Sequence, residues 1–288
     1  ELWQGHWRSF FHSGEIEFEA IYYDDDAEGY AVWYYPNGKI AEEAILVGNN
    51  RHGPWRFFYE NRELNQTGNF INNNRHGELV SFYPNSMLEF ITNYKDGVHH
   101  GNEFRFHPNG KLKIEAKLYN GLKVENVIEY YESGNVKEKG NYINDKLNGE
   151  YIRYYDSPNR TIKQVFNIEK GIPNGPSTWY YENGEIEIKG NFINDKLNGE
   201  YLIYFKNGSL NQKLHYIDGN LNGEFEIFYE SGFLKEKGIL KMGNRNGEII
   251  KFHENGEVKA KGKYENGEKD GLWKNYDESG KLINKEKY

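Results

Sequence analysis

Cysteine is absent from the 288 residues, which removes disulfides, thiolate metal sites and a cysteine nucleophile together. Apolar residues are also scarce, at 37%, and no uninterrupted apolar stretch approaches the roughly 20 residues that a membrane helix needs. A basic excess is missing too. Residues 1–100 hold 7 Lys and Arg against 15 Asp and Glu, whereas residues 101–288 hold 29 of each, so the net charge of −8 is all N-terminal. Nucleic-acid binding needs clustered Lys and Arg against phosphate, and this balance argues against it. Catalytic motifs are lacking: there is no Gly-x-Ser-x-Gly elbow, phosphate loop or His-Glu-x-x-His. The carboxylates recur as repeat positions instead of converging on one pocket, which speaks against an enzyme and against a bound cofactor.

What is present is aromatic and periodic. Phe, Trp and Tyr make up 16% of the chain, and each ring buries far more area than an aliphatic side chain, which suits a thin architecture. The segments GNYINDKLNGEYIRYY from Gly140 and GNFINDKLNGEYLIYF from Gly190 nearly coincide. Aligned outward, the repeat starts at Gly5, Gly29, Gly53, Gly77, Gly101, Glu125, Gly149, Gly175, Gly199, Gly223, Gly247 and Gly271. The spacing is 24 residues except after Gly149, where DSPNRTI lengthens one loop by two. Repeats of this size signal a stacked array.

Five places after each start stands Phe or Tyr, usually followed by a second aromatic, as in Tyr180-Tyr181. Asn-Gly or Ser-Gly follows in nine of the twelve copies, a hairpin signal that favours a type I′ turn. With two residues in that turn, Tyr181 faces Ile186, Gly175 faces Phe192, Tyr201 faces Leu214 and Phe225 faces Gly238. Large residues opposite glycine let rings lie over bare backbone. Glycine recurs too often, and no apolar stripe follows a 3.6 period, so helices are excluded. Short links such as INDKLNG and YKDGVHHG join the hairpins edge to edge. The fold class is therefore all-β: an elongated array of twelve 24-residue hairpins, a solenoid-like rod of about 24 strands forming a single domain over residues 1–288.

Strand alternation places the first-aromatic row, including Phe106, Tyr130, Tyr154, Tyr180, Tyr204, Phe228 and Phe252, opposite the ladder of second aromatics and aliphatics. That row is a candidate binding platform, unless the sheet curls to bury both rows or a second chain covers one. A lysine ladder, Lys139, Lys189, Lys213, Lys237 and Lys261, continued by Lys285, repeats every ~10 Å, about two strand spacings. It can receive an acidic partner or lipid headgroups, but Glu150, Glu200, Glu224 and Glu248 share its face and favour a solvated, salt-bridged surface. His52, His76 and His100 recur at the same spacing, too far apart to share one metal, and read as turn residues. His107 and His253 read as ring substitutes. The run Asp24-Asp25-Asp26 opens like a calcium loop, but Tyr35 occupies the place where a bidentate Glu is required, leaving an exposed acidic link.

The leading glycine, paired aromatics, Asn-Gly turn and following aliphatic, in stretches such as NGPSTWYYENGEIEIKGNF and HGPWRFFYENRELNQTGNF, resemble the bacterial MORN-variant repeat over essentially the whole chain. The resemblance implies a twisted single-layer antiparallel sheet. Some relatives carry an antitoxin label, and eukaryotic MORN proteins are associated with protein assembly and phospholipid contact. Departures fall at Glu125, at Arg62 and Ser86 in place of turn glycine, and at the Asp156–Arg160 loop. The expected role is a protein interaction or scaffold module, with a membrane-surface module and an antitoxin-like or self-assembling protein as alternatives. End-to-end or face-to-face self-association fits the same reading. The missing initiator Met and absent Cys lean toward a bacterial cell-surface or secreted location.

Overall fold

A computed structural model describes residues 2–288, and all its regular structure is antiparallel β-strand. The strands fall into two compact halves, residues 1–146 and 147–288. Each half carries six hairpins, here numbered one to twelve in chain order from the repeat starts above. Hairpin eight shows the construction, with an outgoing strand Ile172–Tyr180 and a return strand Ile186–Ile193. In hairpins four, nine, ten and eleven the outgoing strand is interrupted just before the leading glycine.

The register away from the tip is as expected: Gly175 pairs with Phe192, Tyr201 with Leu214 and Phe225 with Gly238. At the tip it differs. Tyr180, not Tyr181, pairs with Ile186, after a bulge at Trp179/Tyr180. The Gly184 amide donates to the Tyr181 carbonyl at 2.9 Å and the Tyr181 amide to the Glu185 carbonyl at 2.8 Å. Gly184 has φ of +90° while Asn183 stays out of the left-handed region. This is a three-residue loop built on a type I turn with a left-handed third residue, not a type I′ turn. The Asn has another job: Asn183 Oδ1 accepts from the Glu185 amide, and its Nδ2 donates to the Lys206 carbonyl in the next hairpin, at 3.1 and 3.2 Å.

Type I′ turns occur instead at the links between hairpins, where two successive residues take positive φ, as at Asn144-Asp145 and Asn194-Asp195. Asp24 and Asp25 form such a link, and their carboxylates accept from Gln4 Nε2 and the Trp3 amide. The departures from the motif keep the motif's backbone: Arg62, Ser86, Glu125 and Arg160 all have φ between 54° and 77°, at a cost of about 1–2 kcal/mol each relative to glycine.

Glycine serves two distinct purposes. The leading glycines, such as Gly175 at φ +116°, sit at a bulge that only positive φ permits. Return-strand glycines are extended and give space. A Cβ on Gly262 would lie 2.4 Å from the Trp273 ring of the next hairpin. Gly238 lies under Phe225 as expected, but the Ile249 side chain of the following hairpin approaches it more closely.

The core of each half lies on one sheet face. In the N-terminal half Trp55 and Leu79 are buried against Ala44, Phe57 and Phe70, and in the C-terminal half Phe225, Ile249 and Trp273 pack with Leu240. The second aromatic pins adjacent hairpins together. Tyr59 Oη donates to the Phe82 carbonyl at 2.7 Å and Tyr181 Oη to the Tyr204 carbonyl at 2.8 Å. His107 and His253 meet the equivalent carbonyls through Nε2 at 3.0 Å, so an imidazole can replace the phenol as the pin. Among the described residues, no helix is long and apolar enough to cross a membrane.

Candidate interaction surface

The face opposite the core carries the first-aromatic row and the lysine ladder together. Lys189, Lys213, Lys237 and Lys261 pair across strands with Thr178, Leu202, Glu226 and Ile250. Lys189 Nζ lies 6.0 Å from the Tyr204 ring centre, and Lys261 Nζ 5.9 Å from that of Tyr276. Tyr180, Tyr204, Phe228 and Phe252 are half-buried, as are Phe106 and Tyr130, whereas Tyr154 is buried. Lys139 is exposed opposite Ile128. Glu200 Oε1 lies 2.5 Å from Lys213 Nζ and raises the lysine pKa through that hydrogen bond. Two shallow hollows follow. One, of about 480 Å³, lies between Glu200, Lys213, His215 and Ile217, and another, of about 400 Å³, between Glu224, Lys237, Ile239 and Glu248.

In the N-terminal half the position of the lysine ladder is acidic at Glu19, Glu43 and Glu115. Glu19 accepts from Tyr34 Oη and from Arg8 Nε, the latter at 3.0 Å. These bonds hold its carboxyl below the usual range, the tyrosine contributing most. Arg56 Nη1 stands 3.6 Å from Glu43. Burial, reinforced by the Glu43 carboxylate for Tyr30 and by Glu19 for Tyr34, pushes both phenols up to about 12.

Sequence reasoning missed a further feature of this face, an aliphatic at the last residue of five return strands. Val47, Ile71, Ile143, Ile193 and Ile217 are each 42–54% exposed. Ile193 follows Lys189 by four residues and so shares its face. The signal was an aliphatic recurring just before the links. Also unforeseen was a polar seam in the core face of hairpins four and five. There Glu103, 5% exposed, accepts from Arg105 Nε at 2.6 Å, while His99 Nε2 meets Tyr94 Oη at 2.7 Å and Nδ1 meets Thr92 Oγ1 at 3.1 Å. Burial lowers the His99 pKa, opposed by Glu103.

The spaced histidines are not brought together. His52 Nδ1 meets Asn72 Oδ1 at 3.2 Å, His76 lies 3.6 Å from Asp96, and His100 packs on Tyr119 at 4.9 Å. Among the described residues, no group of three or more His, Cys, Asp or Glu could hold a metal ion.

The family model described as "MORN repeat variant" matches nine segments: residues 27–45, 51–72, 75–96, 100–120, 126–144, 173–194, 197–218, 245–266 and 269–288. No curated protein matches the chain. Among solved structures, the Tc holotoxin pore of Photorhabdus luminescens is similar at 11% identity and TM-score 0.20 over 96% of this chain. A TcdB2-TccC3-TEV structure is similar at 13% identity and TM-score 0.20 over 97% of it. The chain spans 18% of the length of each.

Proposed function

On the premise that the chain belongs to the MORN repeat variant family, which matches most of its length, we propose that it is a non-enzymatic interaction or scaffold protein whose working surface is the face opposite the core. The observation that carries this reading is the exposed aliphatic residue that ends five of the return strands, in adjacent pairs at Val47 and Ile71 and at Ile193 and Ile217, beside the lysine and glutamate positions. Each contact is small, but a matching partner gains many at once. Rows of both signs, Lys213 and Lys237 beside Glu200, Glu224 and Glu248, suit a mixed-charge protein surface better than an anionic lipid surface, against which the glutamates are repelled.

Replacing Ile193 and Ile217 by Ser, alone and with Lys213→Glu, tests the assignment without touching the core. Affinity for a partner isolated with the unaltered chain is expected to fall at least tenfold at unchanged melting temperature. Equal affinity in all variants would place the working surface elsewhere.

A further inference from the structure

We propose that hairpins eleven and twelve form a binding site for a small organic anion, with a carboxylate or phosphate head and an apolar body, in the place where hairpins two and ten keep a carboxylate of their own. The site is built around the core-face residues Ala260, Lys269 and Trp273, with Tyr276 of the first-aromatic row at its border.

Two residues before the leading glycine, several hairpins carry a cation laid over an aromatic ring. Arg51 lies 4.9 Å from the Trp33 ring centre and 6.0 Å from that of Phe70, and Arg245 lies 5.7 and 5.9 Å from those of Phe225 and Tyr264. In both cases a buried carboxylate nine residues earlier completes the arrangement. Glu42 takes Arg51 Nε and Nη2 at 2.6 and 2.8 Å, and Glu236 takes Arg245 Nε at 2.8 Å. A cation held against rings, away from bulk water, is stable when an anion meets it.

Hairpin twelve repeats the cation and the return-strand ring, and its second ring comes from the cation's own strand. Lys269 Nζ lies 4.7 Å from the Trp273 ring centre and 4.3 Å from that of Tyr288. The residue nine earlier is Ala260, and a hollow of about 520 Å³ opens where the carboxylate would be. Two more lysines, Lys251 and Lys259, border it, with Trp273, Tyr276 and Ile283 as apolar wall and Asn275 as a neutral donor. The acids at its border are Asp277 and Glu278. Asp277 is occupied by the Ser279 and Lys281 amides at 3.0 and 2.9 Å. Lys269 also donates to Tyr288 Oη at 2.8 Å, and that hydroxyl donates to Glu286. Three cations thus meet a hollow that lacks the acid Glu42 and Glu236 supply at the equivalent position of hairpins two and ten. An incoming carboxylate or phosphate supplies that charge while its apolar part lies on Trp273.

Isothermal titration of the full chain with phenyl phosphate, benzoate, inorganic phosphate and phenol tests this. Phenyl phosphate or benzoate is expected to bind at least tenfold more tightly than inorganic phosphate or phenol, and the tighter of the two identifies the preferred head group. Ala260→Glu, which restores the carboxylate found in hairpins two and ten, is expected to abolish binding with an unchanged or raised melting temperature. Lys251→Gln with Lys259→Gln, two half-exposed or exposed positions, is expected to weaken it at least tenfold. Absence of binding by both aryl anions at millimolar concentration overturns the proposal. So does binding that survives in the folded variants.

Discussion

The two halves of the chain are built to one plan and present different charge at the same place. In the N-terminal half, the return-strand position facing away from the core reads Glu19, Glu43, Thr67, Ile91, Glu115 and Lys139. In the C-terminal half it reads Val165, Lys189, Lys213, Lys237, Lys261 and Lys285. The core face is less free. Trp55 and Trp273 are both 1% exposed at equivalent positions, each lying over a return-strand glycine, Gly68 and Gly262. The left-handed tip residue and the first aromatic recur in every hairpin, the ring over glycine recurs in both halves, and the ladder position beside the first aromatic varies in charge. The proposed interaction role draws on that variation.

The largest expected effects test whether the halves are equivalent inside. Trp55→Ala and Trp273→Ala should each cost about 3–5 kcal/mol, measured by urea denaturation. A small loss at either would break the equivalence. Gly262→Ala drives a methyl into the Trp273 ring and should cost about 1–3 kcal/mol. Gly68→Ala should cost less, because its nearest neighbour would lie at 3.2 Å instead of 2.4 Å.

Next in size is the pin between hairpins. Tyr83 Oη donates to the Phe106 carbonyl at 2.9 Å, and Tyr83→Phe should cost about 1 kcal/mol. Phe205 occupies the same repeat position in the C-terminal half without a hydroxyl. Phe205→Tyr should be neutral or stabilising by up to about 1 kcal/mol, and a clear loss would show that hairpin nine does not accept the pin its neighbours use.

The smallest effect is electrostatic and distinguishes the halves. Tyr30 and Tyr34, with pKa raised to about 12, favour the folded state while neutral. Their contribution is complete below pH ~10, where unfolded tyrosine begins to ionise, and is lost as pH rises through about 12. Ultraviolet titration should show an absorbance step near pH 12 that shrinks in Tyr30→Phe with Tyr34→Phe. An unchanged step in that variant would contradict the assignment.

The repeat period and register were legible because glycine, aromatics and aliphatics recur at fixed spacing, and pairing of Gly175 with Phe192 follows by counting. The tip was not, because Asn-Gly suits both a type I′ turn and a type I turn followed by left-handed glycine. The bonds that Asn183 makes to the neighbouring hairpin decide between them, and they exist only once hairpins stack. The links were more transparent, since Asn144-Asp145 and Asn194-Asp195 both tolerate the left-handed region. Glu42, Glu103 and Glu236 could not be told from solvated glutamates, because the burial of Glu42 and Glu236 depends on cations from adjacent strands and that of Glu103 on Arg105 folding back along its own strand. The aliphatic row ending at Ile193 and Ile217 was visible at its spacing but carried no mark of exposure.

The central claim is that neighbouring residues on one strand divide between a core face and a working face. Site-specific photo-cross-linking at Tyr204 and at Ile203, which pairs with Ile188 on the core side, tests it most directly. A partner cross-link that forms from Tyr204, is competed by unlabelled chain and is absent from Ile203 is the predicted result. Equal cross-linking from both positions, or from Ile203 alone, would contradict it.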